Sequence, residues 1–321
     1  MHAAVVRSFD KAPGYETFEE PVPAAGEVIV DVVAAALHPR VRSGAAGSHY
    51  TSTGRLPLIP GIDGVGRLPD GSRIYFVAPD TAFGTMADRA AVDLSRSIVL
   101  PDGTDEVTVA AGMNPAMSSW VALHRRVPLR PGQAVFVLGA TGNAGQMAVQ
   151  IAKYLGAGRI IGAGRDPRRL AALQDLGADE VVSLAGDIHD AAQAVGTAAA
   201  DVDLVLDYLW GDPATRVIPA VLEQRADRDR ELNWLQIGSM AGPEISLPSV
   251  ALRSANFRIQ GSGQGAVSLA GFLSELPALA ELLSSGVLSV NALPVPLDQV
   301  ESVWTTPPDS GQRIVFIPRR E

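Results

Sequence analysis

Residues 134–164 read AVFVLGATGNAGQMAVQIAKYLGAGRIIGAG, and this stretch decides the fold. An apolar run leads into a glycine-rich turn with the spacing Gly139-x-x-Gly142-x-x-Gly145, and apolar residues then recur at helical spacing. A second apolar run closes the stretch. This order predicts a strand, a turn, a helix and a second strand that lies parallel to the first.

The glycine-rich turn predicts a dinucleotide-binding site. Small residues allow a backbone to approach a pyrophosphate closely, and the following helix presents free N–H groups at the positive end of its dipole. Glycines also make ordinary turns, but a strand before the turn and a helix after it favour the binding function. We expect the cofactor to contact Gly139, Thr141, Gly142, Asn143, Ala144 and Gly145.

The end of the second strand predicts which dinucleotide binds. Proteins that bind NAD carry an acidic residue about 20 residues beyond the turn, where it accepts a hydrogen bond from the ribose 2′-hydroxyl. Here Gly164 takes that place and leaves room, and Arg165, Arg168 and Arg169 follow. Guanidinium groups hold a 2′-phosphate, whereas a carboxylate repels it. We therefore expect NADPH, bound by Gly164, Arg165 and Arg169; the alternative is that the helical arginines form only a solvated face.

The composition is that of a globular protein with about two domains. The chain has 321 residues, 47% hydrophobic and 19% charged, and one domain takes roughly 150 residues. Its 26 basic and 35 acidic residues give a net charge of −9, which argues against nucleic acid and anionic membranes as partners. The absence of cysteine excludes disulfides, cysteine-ligated metals and a cysteine nucleophile. Since neither a long apolar run nor a signal peptide is visible, we expect a cytoplasmic protein.

The rest of the chain divides into a β-rich part and an alternating part. Strand patterns occur at 2–8, 14–20 and 26–37, whereas glycine and proline crowd 44–71 and predict loops and turns there. Farther along, apolar strands alternate with helical patterns, one of which opens at Pro167. This alternation is typical of a parallel sheet covered by helices on both faces. The tail ends in another strand pattern, so we expect it to complete the first domain.

From these residues outward, the chain resembles the medium-chain dehydrogenase/reductase superfamily and, within it, the zinc-independent quinone oxidoreductases. Residues 120–182, which include LGADEVV at 176–182, are similar to the cofactor half of that family almost throughout. Residues 56–76, LPLIPGIDGVGRLPDGSRIYF, resemble its P-G-x-D-x-x-G segment. The resemblance extends over nearly the whole chain and is looser in the first 50 residues.

The resemblance implies an α/β protein with a GroES-like β-rich catalytic domain and a Rossmann domain built on a doubly wound parallel sheet. The catalytic domain would be discontinuous, formed by 1–110 and 266–321, and the Rossmann domain would occupy 111–265. The resemblance also implies hydride transfer from NADPH to a small quinone or α,β-unsaturated carbonyl compound, in a homodimer.

The zinc ligands of the related alcohol dehydrogenases are replaced in this chain. Aligned by motif, the two cysteines, the histidine and the glutamate of that branch fall on His38, Asn114, Ile62 and Asp63 respectively. His38 and Asp63 alone do not make a catalytic zinc site, which usually takes three protein ligands, so we expect no metal. The N-P-x-D motif common among the quinone reductases is also replaced, by H-P-R-V from His38 onward. The resemblance therefore leaves open which groups contact the nicotinamide and the substrate carbonyl.

The candidate catalytic residues lie in the first domain. Hydride transfer to a carbonyl compound needs a hydrogen-bond donor at the carbonyl oxygen and a source of a proton. Tyr50 is the leading proton donor, in a loop expected to border the cleft; the alternative is a surface tyrosine. His38 could donate through either ring nitrogen, and the alternative is a buried, satisfied histidine. Asp63 either orients a neighbour or makes structural hydrogen bonds, and His49 is a weaker candidate.

Further cofactor contacts are expected on the nicotinamide side. Asn114 and Ser118 stand at motif positions that line this side in the family, and the alternative is helix capping. Gly238 and Ser239 end a strand of the parallel sheet, where α/β folds bind ligands. Gly263 belongs to a segment that resembles the G-S-G of the family, at the dimer edge or the cleft.

A second function from another class is compatible with the same cofactor site. The chain could be a catalytically weak NADPH-binding protein that serves as a redox sensor or a structural protein. Only the altered N-P-x-D motif favours this alternative, and one fold hosts many functions.

Overall fold

The computed structural model describes residues 1–78, 81–263, 265–306 and 311–319. Contacts within the chain divide it into two compact units. The terminal unit consists of Met1–Asn114 with Leu276–Glu321, and the central unit is Pro115–Glu275. The sequence predicts domain limits at 110/111 and 265/266, which lie four and ten residues before these unit boundaries.

The described residues form strands and helices that follow one another along the whole chain. The strands are β1 (His2–Val5), β2 (Gly14–Thr17), β3 (Glu27–Ala36), β4 (Asp63–Arg67), β5 (Arg73–Val77), β6 (Arg89–Asp93), β7 (Ser97–Val99), β8 (Ala134–Leu138), β9 (Arg159–Gly164), β10 (Glu180–Ser183), β11 (Leu204–Asp207), β12 (Leu232–Gln236), β13 (Phe257–Gly261), β14 (Ala292–Pro296) and β15 (Arg313–Ile317). The α-helices are α1 (Pro39–Ala45), α2 (Glu106–Val121), α3 (Asn143–Tyr154), α4 (Pro167–Asp175), α5 (Ile188–Ala198), α6 (Gly211–Gln224), α7 (Leu269–Leu273), α8 (Leu276–Ser284) and α9 (Val300–Trp304).

The central unit is built on a six-stranded parallel sheet. Its strand order is β10-β9-β8-β11-β12-β13, so the chain moves outward from β8 in one direction and then returns to build the other half. This is the doubly wound Rossmann order, which confirms the fold class predicted from the sequence. The apolar face predicted for α3 is also buried, with Met147, Ala148 and Ile151 at most 1% exposed.

The terminal unit is β-rich, as predicted. Its larger sheet has the order β14-β15-β3-β4-β5-β7, with β6 paired to β3, and β1 and β2 form a separate antiparallel pair. The tail strand β15 runs antiparallel to β3, so the C-terminal segment completes a sheet begun near the N-terminus. Apolar side chains from both segments pack in one core, which includes Val30, Phe76 and Phe316.

The stretch 44–71 is not wholly loop and turn, because it contains β4. Its glycines are read as turn signals in the sequence, but Gly64 is a strand residue whose absent side chain admits the neighbouring strand. A Cβ on Gly64 would lie 2.8 Å from the carbonyl oxygen of Ala34 in β3. The glycine thus permits a close strand contact, a second use of glycine that a sequence pattern does not distinguish from a turn.

Across the described ranges, every helix is too short or too polar to cross a membrane.

Candidate cofactor site and candidate catalytic cluster

The glycine-rich turn joins β8 to α3 at the carboxyl end of the parallel sheet. The turn begins at Gly139, whose φ of 92° lies in the left-handed region that favours glycine. The amides of Gly139 and Ala140 both donate to the carbonyl oxygen of Ala163, at 3.0 and 2.8 Å, and fix the turn to β9. Gly142 is the N-cap of α3 and has no side chain to cap it. The first amides of α3 therefore remain available to an anion at this helix end.

Two glycines of the turn differ in how much space surrounds them. A Cβ on Gly145 would lie 2.3 Å from the carbonyl oxygen of Gly139, so α3 packs directly on the turn at this point. A Cβ on Gly142 would meet nothing closer than 3.7 Å, again the carbonyl oxygen of Gly139. Gly145 is needed for packing, whereas Gly142 has room for a methyl group beside the helix end. This geometry fits a pyrophosphate, which needs both a close helix and an uncovered backbone.

The space beside Gly164 is filled, which corrects the expectation that this glycine leaves room. A Cβ on Gly164 would lie 2.4 Å from Cγ2 and 2.6 Å from Oγ1 of Thr141. The glycine at the end of β9 therefore accommodates the Thr141 side chain of the turn. The carbonyl oxygen of Thr141 accepts hydrogen bonds from Gln146 Nε2 at 3.4 Å and from a terminal nitrogen of Arg169 at 3.3 Å.

The arginines after β9 occupy different environments. Arg165 and Arg168 are exposed, and Arg169 is half-buried. The carboxylate between them, Asp166, caps α4 by accepting from the amides of Arg168 and Arg169 at 2.9 and 3.1 Å. Its Oδ2 also lies 3.8 Å from Nε of Arg169, a long ion pair. Asp166 is thus occupied largely with its helix, and Arg165 carries the cation nearest to the end of β9.

At the carboxyl end of β11, a buried carboxylate holds the following loop. Asp207 accepts hydrogen bonds from the amides of Leu209 and Trp210 at 2.8 and 2.9 Å, and from the indole of Trp234 at 2.9 Å. Burial raises the pKa of Asp207, and the three donors oppose that rise. Trp210 has a φ of 53°, the one positive value among non-glycine residues in the described part of the chain. The loop is therefore held in a conformation that a tryptophan rarely adopts.

Tyr208, in this same loop, is a residue that the sequence reasoning missed. Its buried hydroxyl lies 3.1 Å from Oγ of Ser118, and burial raises the pKa of Tyr208 to about 12. Ser118 also donates to the carbonyl oxygen of Pro115 at 2.8 Å, which is a helix-internal contact. A Cβ on Gly238 would lie 2.8 Å from the carbonyl oxygen of Tyr208. Two predicted residues, Ser118 and Gly238, therefore meet at this tyrosine, which no sequence motif marks.

The remaining predicted cofactor residues are placed as follows. Asn143 and Ala144 open α3, Ser239 is exposed after β12, and Gly263 is exposed after β13. Asn114 is half-buried in α2, four residues before Ser118. The central-unit members apart from Ser118 lie at or after the ends of parallel strands, whose carboxyl ends meet at one edge of the sheet. Their contacts with a cofactor stay predictions.

In the terminal unit, His38 and Asp63 form a buried pair. Nε2 of His38 lies 3.0 Å from Oδ1 of Asp63, and the two side chains are 1% and 3% exposed. The hydroxyl of Tyr75 donates to Oδ2 of Asp63 at 2.7 Å, and Thr85 donates to the Asp63 carbonyl oxygen at 2.8 Å. Burial lowers the pKa of His38 although the carboxylate opposes this shift, and burial raises the pKa of Tyr75 well above its ordinary value.

A cation from the C-terminal strand lies near this pair. Arg313 of β15 is 5% exposed and donates to the carbonyl oxygen of Leu37 at 3.1 Å. Burial lowers the pKa of Arg313 to about 10, and the Asp63 charge opposes that decrease. No motif in the sequence marks Tyr75 or Arg313 as a site residue. They join the cluster from β5 and β15, and no local motif reports which strand faces will meet.

Tyr50 and His49 lie at the surface of the terminal unit. Tyr50 is 73% exposed, and its ring packs on the His49 ring with centroids 4.2 Å apart. Nδ1 of His49 lies 3.0 Å from the hydroxyl of Thr51. The exposed phenol is compatible with either alternative for Tyr50, so its role as proton donor stays a prediction.

A recess of about 470 Å³, its open mouth included, lies between α1 and the segment that leads to β4. Its apolar lining includes Val41, Ala45, Leu58 and Ile59, and Thr51 and Ser52 add hydroxyl groups. The lining continues to Ile62, one residue before Asp63. An apolar recess with a few polar groups is the usual form of a small-molecule site.

The described residues contain no group of three or more His, Asp or Glu side chains that could hold a metal ion. The His38–Asp63 pair supplies two such side chains, and they are bonded to each other.

Comparisons with known proteins agree on one family. The profile of a family described as zinc-binding dehydrogenase matches residues 144–227, within the central unit. A probable NADPH-dependent quinone reductase of Emericella nidulans is 30% identical over 362 aligned positions, which cover 99% of this chain and 100% of that protein. An NADPH-dependent alkenal/one oxidoreductase of Arabidopsis thaliana is 27% identical over 169 positions, 48% of this chain and 44% of that protein.

A solved structure extends the likeness to the whole fold. The quinone oxidoreductase from Thermus thermophilus, whose structure is described alone and in complex with NADPH, is 26% identical to this chain. The two superpose with a TM-score of 0.76, over 99% of this chain and 100% of that one. Together with the full-length relative and the Rossmann strand order, this likeness means that the chain belongs to the medium-chain dehydrogenase/reductase superfamily of oxidoreductases, in its quinone-reductase-like branch.

Proposed function

We propose that this protein transfers hydride from NADPH to a quinone or to an α,β-unsaturated carbonyl compound, and that it does so without a catalytic zinc ion. The observation that carries the proposal is the turn between β8 and α3, with an uncrowded backbone at Gly142 and the Arg165 cation beyond the next strand. Relatives named as NADPH-dependent quinone and alkenal/one reductases support the same reaction class.

The turn and the arginines would hold different phosphate groups of the cofactor. The free amides at the start of α3 would hold the pyrophosphate, with Gly145 keeping the helix close. Arg165 and Arg169 would hold the 2′-phosphate, since a guanidinium forms strong paired hydrogen bonds with phosphate oxygens. The carboxylate of Asp166 faces the amides of its own helix, which leaves the arginine charges less opposed.

When bound, NADPH supplies the hydride, and the protein supplies orientation, hydrogen bonds and exclusion of water. Negative charge develops on the carbonyl oxygen of the acceptor, so a hydrogen-bond donor there speeds the reaction. The Tyr50 hydroxyl is our candidate for that donor. His38 and Asp63 are candidates for contacts near the reacting groups, at the motif positions that hold metal ligands in the alcohol dehydrogenases.

Zinc independence is supported by the chemistry of the side chains at those positions. A catalytic zinc takes three protein ligands and keeps one position open. Ile62 has no donor atom, and Nε2 of His38 is engaged by Asp63 at 3.0 Å. The two remaining oxygen and nitrogen donors, Asp63 and Asn114, do not complete a usual ligand set.

The shape and polarity of the recess beside α1 support this acceptor class. The recess beside α1 offers apolar walls from Val41, Leu58 and Ile59, which suit a flat conjugated ring or chain. The hydroxyls of Thr51 and Ser52 offer hydrogen bonds to a carbonyl oxygen at the edge of such a molecule. Quinones and enones share this combination of a conjugated apolar body and a carbonyl group.

The experiment is a steady-state assay of NADPH oxidation at 340 nm with EDTA present, using 1,4-benzoquinone and 3-buten-2-one as separate acceptors. NADH runs beside NADPH. Saturable, acceptor-dependent turnover that prefers NADPH and withstands EDTA supports the proposal. Turnover that needs added zinc contradicts it, and tight NADPH binding without turnover of either acceptor favours the redox-sensor alternative.

We also propose that the protein is a homodimer, as the family resemblance implies. Light scattering during size-exclusion chromatography measures the mass directly. A mass near twice 33.5 kDa supports the dimer, and a mass near 33.5 kDa contradicts it.

A further inference from the structure

We infer that Tyr75 and Asp63 hold His38 as the tautomer protonated at Nε2, so that its Nδ1 accepts a hydrogen bond from a hydroxyl group of the bound ligand. The inference rests on the proposed function only for the identity of that ligand, either the cofactor or the acceptor. It assigns His38 a contact role and makes Asp63 and Tyr75 positioning residues.

The two carboxylate oxygens of Asp63 have different partners. Oδ2 receives the hydroxyl of Tyr75 at 2.7 Å, and Oδ1 lies 3.0 Å from Nε2 of His38. A carboxylate has no proton to donate, so the imidazole must be the donor in the second contact. A neutral imidazole carries one N–H group, which is thereby placed on Nε2. Its other nitrogen, Nδ1, then offers a lone pair and no proton.

The protonation state of the His38 ring depends on its burial and on the charges around it. The His38 side chain is 1% exposed, and burial disfavours the imidazolium form. Asp63 favours that form, whereas the cations Arg313 and Arg40 disfavour it; these are the charged groups that face the ring. Arg313 also compensates the buried charge of Asp63 through their mutual attraction. The cluster therefore needs no positive charge on His38, and burial keeps its pKa below the ordinary value.

The other ring nitrogen of His38, Nδ1, requires a hydrogen-bond donor as its partner. Within the described ranges, Nδ1 of His38 is buried and has no hydrogen-bond partner. Buried acceptors in native proteins are nearly always paired, so an unpaired one needs a specific explanation. A hydroxyl is the matching donor. The nicotinamide ribose carries hydroxyls, and so does the hydroquinone formed from a quinone.

This assignment changes the role expected of His38. From the sequence, the ring could donate through either nitrogen. In the structure one nitrogen already donates to Asp63 and the other has no proton, so His38 acts toward the ligand as an acceptor. The proton required by the reduced acceptor then comes from another group.

The direct test is NMR of the full-length protein labelled with ¹⁵N at histidine, since ring nitrogen shifts separate the two tautomers and the imidazolium. The chain has five histidines, and His38→Gln identifies the signals of interest. His189→Gln is the matched control, because His189 is exposed on α5. We expect a neutral ring protonated at Nε2 from pH 7 to 8. A ring protonated at Nδ1, or an imidazolium at pH 7, overturns the inference.

The same spectra identify the source of the hydroxyl. NADP⁺ and 1,4-hydroquinone are added separately and then together. A shift of the His38 Nδ1 signal with NADP⁺ alone assigns the ribose, and a shift only with hydroquinone assigns the acceptor. If neither probe shifts the Nδ1 signal, although the shifts of other signals show that both probes bind to saturation, the contact to a ligand is disproved. These readouts need no turnover, so a failed reductase assay would contradict the proposed function without deciding this inference.

Variants separate positioning from structure. Tyr75→Phe removes one donor from Asp63, so the carboxylate binds the His38 proton more strongly and the pKa of His38 rises; a purely structural tyrosine would leave that titration unchanged. His38→Asn keeps an amide group near the position of Nδ1, whereas His38→Gln keeps one near Nε2. We expect His38→Gln to weaken binding of the assigned ligand about tenfold, measured as the Kd for NADP⁺ or the KM for the acceptor. His38→Asn should retain most of the binding that His38→Gln loses. Equal losses in both variants would contradict the acceptor role.

Discussion

The guanidinium of Arg169 donates a hydrogen bond to the carbonyl oxygen of Thr141 at 3.3 Å, and so connects the start of α4 to the glycine-rich turn. The two segments that would hold the pyrophosphate and the 2′-phosphate are therefore joined by a side chain. Arg169 therefore has a structural contact within the protein in addition to any contact with a ligand. In the described part of the chain Arg165 makes no such contact, and its exposed cation is available for an anion.

This difference predicts the effect of Arg165→Ala. The substitution removes a charge-assisted hydrogen bond to the 2′-phosphate, which is worth about 1.5–3 kcal/mol. We expect the Kd for NADPH to rise about tenfold or more, while the Kd for NADH hardly changes. Titration of protein fluorescence with each cofactor measures both constants.

The control for this prediction is Arg168→Ala. Arg168 is also exposed and lies just beyond Arg165, in the first turn of α4, but only its backbone amide has a described role, in the cap formed by Asp166. Its loss should change both constants by less than about threefold, as expected for a screened surface charge. Equal weakening of NADPH and NADH in Arg165→Ala would refute a 2′-phosphate contact.

The two glycines of the turn predict opposite effects of one methyl group. In Gly145→Ala the Cβ would lie 2.3 Å from the carbonyl oxygen of Gly139, so the helix must move and the protein should lose about 1–3 kcal/mol of stability. In Gly142→Ala the nearest atom is 3.7 Å away, so the thermal midpoint should stay close to that of the unmodified protein. The added methyl would still obstruct the pyrophosphate, and NADPH binding should weaken strongly.

Calorimetry and cofactor titration on the same two variants test this pair. The informative result is that Gly142→Ala keeps its thermal midpoint but binds NADPH more weakly. If Gly142→Ala binds NADPH as well as the unmodified protein does, the pyrophosphate does not approach the backbone there. If Gly145→Ala is as stable as the unmodified protein, the close contact between α3 and the turn is not maintained in solution.

Much of the central unit can be predicted because its signals are local. The strand that ends at Gly164 and the start of α4 at Pro167 occur where the sequence predicts them, since an unbroken apolar run and a proline at a helix start act within a few residues. The parallel order also follows, because alternating strands and helices allow few arrangements.

The parts that could not be predicted depend on contacts between distant segments. Tyr75 and Arg313 reach the His38–Asp63 pair from strands 238 positions apart in the chain, and neither sits in a recognisable motif. Gly164 and Thr141 show the same limit, since the sequence indicates an empty space that a side chain from the preceding turn fills. Composition and periodicity report local preference, not which side chains occupy a shared space.

The contact between Gly164 and Thr141 predicts coupled substitutions. Gly164→Ala alone should cost about 1–3 kcal/mol of unfolding free energy, because the new Cβ would lie 2.4 Å from Cγ2 of Thr141. Thr141→Ala removes that methyl group, so the double variant should be more stable than the sum of the single changes indicates. Urea denaturation of the four proteins gives the coupling energy, and strict additivity would show that Thr141 moves away freely.

The buried ring of His38 predicts how stability depends on pH. Burial lowers the pKa of His38 below its ordinary 6.5, so in the folded protein the ring stays neutral at pH values where the unfolded chain binds a proton. The unfolded state then carries more protons, and the free energy of unfolding falls as pH decreases from 6.5 toward the folded-state pKa. The slope for one full proton is about 1.4 kcal/mol per pH unit. Above 6.5 this contribution is constant.

The stability advantage of the unmodified protein over His38→Gln should therefore shrink below pH 6.5 and stay level from pH 7 to 8, as urea denaturation at each pH would measure. His189→Gln, which changes an exposed ring, should show no such trend, and parallel curves for His38→Gln and the unmodified protein from pH 5 to 8 would mean that His38 titrates alike in both states.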